Sequence, residues 1–261
     1  MLYLFVLFDS LFSMKKYPAL FIVCLLFCHK LGATHLRAGE ISIQQISQTN
    51  LTFKITITVF TNIIDSNVLF GGEDDWLDFG DGERIRVPEI ANLARPDLGR
   101  GIATASFTTT HTYAAYGNYL VSYSEPNRNE GIMNMSGSVN TRFYIEAVMR
   151  IDATTQHYES PRFLTTPVFL AISGQPFTSS VACKDTSNHT LYYELIAPKR
   201  ERDADVIEYK MPANFLLNPL NGLLTWDTKF NGSYAQGEFA FAVKVKQVNK
   251  KGELVGYVTR D

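Results

Sequence analysis

Cysteine is scarce: the 261 residues hold three, and two of them, Cys24 and Cys28, fall in an N-terminal leader. Only Cys183 is left for the folded part, so no internal disulfide is expected and stability must come from packing. Basic charge is equally thin. Lys and Arg number 24 against 26 Asp and Glu, and the basic residues stand singly, which removes the electrostatic footprint of a nucleic-acid partner. The N-terminal apolar run, residues 17–27, covers eleven positions, where a membrane-spanning helix needs about 20. No stretch sustains a 3.6-residue period, and only "PEIANLAR", residues 88–95, suggests a helix of two turns. Catalytic signatures are missing as well: there is no G-x-S-x-G, no H-E-x-x-H and no phosphate-cradling loop. The four histidines beyond the leader, His35, His111, His157 and His189, lack metal-ligand spacing. No catalytic, cofactor-binding or metal-binding residue is therefore assigned, and the chain reads as non-enzymatic.

What is present is a large apolar fraction, 46% hydrophobic and 13% aromatic, enough for a core in each of two domains. Residues 1–33 read as a signal peptide. Met14-Lys15-Lys16 supplies the positive region, residues 17–27 the apolar one, and "LGA" a small-residue cleavage site at Ala33. Cleavage there leaves 21 basic and 25 acidic residues, an ordinary balance for a secreted, extracellular or outer-surface protein with no membrane insertion after cleavage. Met14 is the more natural start, because Asp9 breaks the apolar stretch before it.

Period-two alternation recurs downstream. In "LTFKITITVF" the odd positions from Leu51 to Val59 are apolar and the even ones are Thr or Lys, the pattern of a half-buried strand. "FYIEAVMR" sets Phe143, Ile145, Ala147 and Met149 against Glu146 and Arg150, and "FAFAVKVK" sets Phe239, Phe241, Val243 and Val245 against Lys244 and Lys246. Many short strands separated by Gly, Asn and Pro predict an all-β fold of two tandem Ig-like β-sandwiches. Pro161 and Pro167 bracket a segment that cannot continue a central ladder, so the boundary is expected near Thr166, giving domains 34–166 and 167–261. The closing "ELVGYVTRD" reads as an interrupted strand, so the second domain is expected to be incomplete and the chain a fragment.

In "WLDFGDGERIRV" Gly80-Asp81-Gly82 suits the positive φ angles of a tight hairpin, and the aspartates suit capping of its backbone N–H groups. Trp76 and Phe79 are expected to point inward. Downstream, "HTYAAYGNYLVSY" places Tyr119, Val121 and Tyr123 on one strand face. Together these two motifs resemble the polycystic-kidney-disease (PKD) type of Ig-like sandwich, with two departures: Leu77 is inserted after Trp76, and the connection over residues 83–110 is long enough for an extra hairpin. "ATHLRAGEISIQQIS", "NRNEGIMNMSGSVNTRFYIEA" and "GYVTRD" extend the resemblance to exported Bacteroidota surface proteins with PKD-like and cadherin-like or Ig-like repeats. That family often ends in a gliding-motility-associated C-terminal domain used for type IX secretion. "LNPLNGLLTWD", with its Asn221-Gly222 turn and Trp226, is similar to a cadherin-like or Ig-like strand pair.

The resemblance implies a cell-surface segment serving adhesion, spacing or presentation, with an extracellular protein or glycan as partner. The alternative it carries is a carbohydrate-binding accessory module of a polysaccharide-degrading system. No cofactor is assigned. The weak cation candidate is the acidic run Glu73, Asp74, Asp75, Asp78 and Asp81, whose carboxylates repel one another unless screened; turn capping on a solvated edge is the plainer reading. In the second domain only Asp185 and Asn188 of "CKDTSNHTLYYEL" match the oxygen donors of a calcium loop, so that stretch is expected to be a plain turn. The amide- and Met-rich stretch 127–140 reads as an irregular crossover, and second as an adaptable binding loop.

Overall fold

A computed structural model describes residues 36–64, 69–153 and 157–261; the leader and its cleavage site lie outside the described residues. The protein is all-β, built from antiparallel sheets of the β-sandwich, Ig-like class. The alternating segments are the strands, because β-branched and aromatic side chains fit a pleated, half-buried surface. Thr52–Asn62 buries Phe53, Ile55, Ile57 and Val59 completely. It pairs on one side with Leu36–Ser47 and on the other with Ile102–Thr112. A second run of neighbours, Arg84–Arg86, Trp76–Asp78, Gly117–Glu125 and Phe143–Ile151, packs Leu77, Val121, Tyr123 and Ile145 against that layer.

Phe143–Ile151 departs from simple alternation. Tyr144 and Glu146 are buried alongside Phe143, Ile145, Ala147 and Met149, because the outer face is covered where Lys199 pairs with Tyr144. Buried Glu146 accepts from Lys199 Nζ at 2.6 Å and from the Tyr257 hydroxyl at 2.9 Å. The helix expected over "PEIANLAR" is absent: Ile90 bridges Phe70, and Leu93–Ala94 pairs with Ala103 and Thr104. With no apolar face to bury, two helical turns gain less than ladder hydrogen bonds to a formed sheet. The long connection over residues 83–110 thus does contain a hairpin.

The last strand, Leu254–Arg260, organises the rest. It pairs with Ala242–Val248 along most of its length, with Phe143–Ile151 through Gly256, Tyr257 and Val258, and with Glu40 through Arg260. Ala242–Val248 pairs in turn with Thr190–Ile196. Facing them is a three-stranded sheet of Phe177–Ser180, Leu223–Trp226 and Leu216–Leu217. The expected boundary near Thr166 therefore needs a correction: the described residues from Leu36 to Asp261 form one compact unit, and a strand from beyond position 166 is hydrogen-bonded to one before it. One apolar cluster runs from Leu36 and Phe53 through Tyr158 to Val181, Tyr193 and Val245. The sequence signal for two domains is local; the shared strand is a long-range pairing that no local pattern encodes.

Buried ion pairs close the seam. Arg128, 2% exposed, holds Asp261 through both carboxylate oxygens, at 3.0 and 2.5 Å, and donates to the Lys199 carbonyl at 2.9 Å. Gly39 and Asp261 exchange backbone hydrogen bonds at 2.8 and 3.2 Å. Arg260 pairs with Glu40, donates to the Thr165 carbonyl at 2.6 Å and stacks on Phe163 at 3.6 Å. Burial lowers the Arg260 pKa, and Glu40 opposes that shift.

Two outcomes are expected. Scanning calorimetry should show one unfolding transition, since neither half keeps its sheet without the shared strand; two resolved transitions would contradict the joint. Arg128→Ala strands the buried Asp261 carboxylate and should lower stability by roughly 3–5 kcal/mol in urea titration.

Candidate functional site

The acidic glycine turn is where the sequence points first. Asp78 Oδ1 accepts from the Gly80 amide at 2.8 Å, Asp81 Oδ1 accepts from the Glu83 amide at 3.1 Å, and the Phe79 amide donates to the Glu83 carbonyl at 3.0 Å. Each aspartate caps its own turn, as short acidic side chains do when they compete for local amides. Gly80 and Gly82 have φ of 84° and 99°. The second Asp81 oxygen lies 2.6 Å from His111 Nε2. His111 stacks on Phe79 at 3.9 Å, and the Tyr113 hydroxyl donates to the Phe79 carbonyl at 2.9 Å. Burial works against the Asp81 charge, but the His111 and backbone hydrogen bonds outweigh it and hold the carboxyl below its ordinary pKa. The two motifs that are 30 residues apart in sequence are joined here as a packing unit.

Within that unit the inward positions differ from expectation. Phe79 is buried, but Leu77, not Trp76, fills the core. Leu77 opposes Ile85 and Tyr123. Trp76 lies half-buried on the outer face beneath Arg84 and Arg86, whose guanidinium carbons stand 4.3 and 5.2 Å from its ring. The residue that reads as an insertion is the one in register with the core, since inside and outside swap at every step of a strand.

The rest of the acidic run does not converge. Glu73 and Asp74 are exposed while Asp75 is 3% exposed. Among the described residues no three Asp, Glu, His or Cys side chains gather as cation ligands. Asp75 Oδ1 is buried with no hydrogen-bond partner. Burial, reinforced by Asp74 and opposed by Arg142, pushes its carboxyl up to about 7. In the second acidic loop, Asp185 accepts from the Ser187 amide at 2.6 Å, the His189 amide at 3.3 Å and Gln247 Nε2 at 2.7 Å, and His189 Nδ1 lies 3.1 Å away. Both oxygens are occupied by protein donors; the Asp185 side chain is buried while Thr186 and Asn188 of the same turn are exposed.

The crossover 127–140 is fastened, not free. Asn129 donates to Glu238 Oε2 at 2.6 Å, and Asn134 exchanges bonds of 2.8 and 3.0 Å with Ala240. Ile132 and Met135 are buried, while Met133 faces solvent. Beside it opens a cleft of about 740 Å³. Its aromatic lining comes from Phe169, Phe177, Phe215, Trp226, Phe239 and Phe241. Phe215 meets Trp226 and Phe241 edge-on at 5.7 and 4.8 Å. The Trp226 Nε1–H donates to the Lys229 carbonyl at 3.1 Å, so the indole offers the cleft an apolar surface. At the polar end Arg37 donates to Glu238 Oε1 at 2.6 Å, and its Nε is buried without a partner. A mostly apolar recess with a few polar groups has the makeup of a binding site. Sequence reading missed it because its lining comes from segments spread over more than 200 positions; the aromatic alternation of "FAFAVKVK" was the one visible trace.

Two measurements test these assignments. A Cβ at Gly80 would meet the Leu120 carbonyl oxygen at 2.4 Å, whereas one at Gly82 meets nothing within 4 Å. Gly82→Ala should therefore cost about 1–2 kcal/mol from backbone conformation alone, and Gly80→Ala clearly more; equal costs would contradict the packing of Gly80 on Leu120. Asp75 keeps in the folded state a proton that the unfolded chain releases near pH 4. Its contribution favours folding at low pH and is lost as pH rises toward about 7. Asp75→Asn should gain stability over the wild type at about pH 8 and little at about pH 4 in urea titration; a pH-independent difference would contradict the buried-acid assignment.

Comparison of the chain with protein-family models, curated proteins and solved structures finds no match.

Proposed function

We propose that the chain is a non-catalytic β-sandwich segment of an exported or cell-surface protein, and that it works by spacing, presenting or docking a binding surface. The observation that carries this reading is the shared last strand, which joins both halves into one compact unit. A body of that kind transmits position and load without a hinge. The polar groups that chemistry would need are engaged in holding it: His111 with Asp81, His189 with Asp185, and Glu146 with Lys199. Cys183 is no stronger a nucleophile, since burial pushes its thiol pKa well up. Among the described residues no helix is long and apolar enough to cross a membrane.

A carbohydrate-binding module presents an exposed aromatic platform. Among the described residues the exposed aromatic ones, Tyr116, Tyr192 and Tyr234, stand on separate elements, which favours a protein partner over a glycan.

Expression of the complete gene product in a bacterial host should yield chain outside the cytoplasm beginning near Thr34, as read by N-terminal mass spectrometry. Beads coated with that product should adhere to protein-coated surfaces without altering the coating. An intact leader on cytoplasmic protein, or strong retention on a glycan panel with none on proteins, would overturn the reading.

A further inference from the structure

Residues 168–172 follow Pro167 and belong to no sheet. Among the described residues, the amide and carbonyl groups of residues 168–171 make no hydrogen bond. The segment nevertheless has the side-chain order of a strand. Phe169 and Ala171 line the aromatic cleft, and Phe169 packs on Phe177 and Phe241 at 6.2 and 5.9 Å. Leu170 is 92% exposed and Ile172 70% exposed, although Val168 and Leu170 also border the same cleft. The inner side chains thus hold an unpaired backbone in place while the outer ones face water.

Exposed strand edges are normally guarded by Lys, by inward-pointing charge or by bulges, because an open ladder recruits another strand. Residues 168–172 carry no charged side chain, and Pro167 guards one end only. From Phe163 to Cys183 the sequence contains no Asp, Glu, Lys, Arg or His, so nothing repels a like segment. The segment is also complementary to its own reverse. Turned about Leu170, V-F-L-A-I sets Leu170 against Leu170, β-branched Val168 against β-branched Ile172, and large Phe169 against small Ala171. A two-fold contact needs this self-complementarity, and side chains facing one another across an antiparallel pair are the unit of sheet stabilisation.

We propose that residues 168–172 are a pairing edge through which two copies of the chain associate, adding strand to strand antiparallel about a two-fold axis at Leu170. Anchoring by Phe169 pre-orders the edge and lowers the cost of pairing. Pro167, which has no amide hydrogen to donate, ends the ladder at five residues. So short a contact makes a weak dimer, on the order of micromolar or weaker, populated where copies are concentrated, as on a crowded surface.

Sedimentation velocity of the purified protein, from about 1 µM to about 500 µM, should show a concentration-dependent monomer–dimer shift. Leu170→Lys combined with Ile172→Lys places like charges across the axis and should keep the chain monomeric throughout; both side chains are exposed, so the melting temperature should not move. As a second measurement, Leu170→Cys brings two thiols within the Cα spacing a disulfide accepts. Mild oxidation should then give a dimer cross-linked at position 170 in both copies, identified by peptide mapping. A chain that stays monomeric over the whole range with no 170–170 cross-link overturns the proposal, as does a dimer that persists in the lysine variant.

Discussion

Everything in this fold depends on where the last strand goes. Leu254–Arg260 lies between Ala242–Val248 and Phe143–Ile151 and reaches Glu40 at its end. Its two terminal side chains carry charge into the interior: Arg260 to Glu40 and Thr165, and Asp261 to Arg128. Burying these ions is costly, and the cost is offset only because each is met by a partner of opposite charge and by carbonyl or amide groups as well. The arrangement therefore tolerates one register of the strand and penalises the others, which is a more secure role for a buried ion pair than net stabilisation.

The same logic explains the acid-rich turn. Asp78 and Asp81 sit where the chain reverses and spend their oxygens on local amides and on His111. Phe79, His111 and Tyr113 stack behind the turn. The carboxylates fix a bend, the bend aligns Trp76–Asp78 with Gly117–Glu125, and that pairing delivers Leu77 to the core. Asp185 does similar service at the other end of the molecule, tying its loop to Gln247 on a central strand.

What remains for recognition lies at the junction of the two halves. The sheet of Phe177–Ser180, Leu223–Trp226 and Leu216–Leu217 meets the unpaired segment where Phe169 packs on Phe177. The aromatic cleft and the open backbone of residues 168–172 are two sides of that one circumstance, and the uncharged run from Phe163 to Cys183 leaves both unshielded.

The period-two alternation of Thr52–Asn62 and the Asn221-Gly222 and Gly80–Gly82 turns were legible directly, since strand period and positive φ are properties of a few adjacent residues. So was the all-β class. Which residue of "WLDF" faces inward was not, because register is set by partners 8 and 46 positions away, Ile85 and Tyr123. The Arg128–Asp261 pair leaves no local mark, as it joins residues 133 positions apart. The amino-acid order by itself determined that this chain makes half-buried strands and tight turns. Only the tertiary structure decided that one strand serves both halves, because long-range pairing is chosen by the summed burial and charge satisfaction of the whole core.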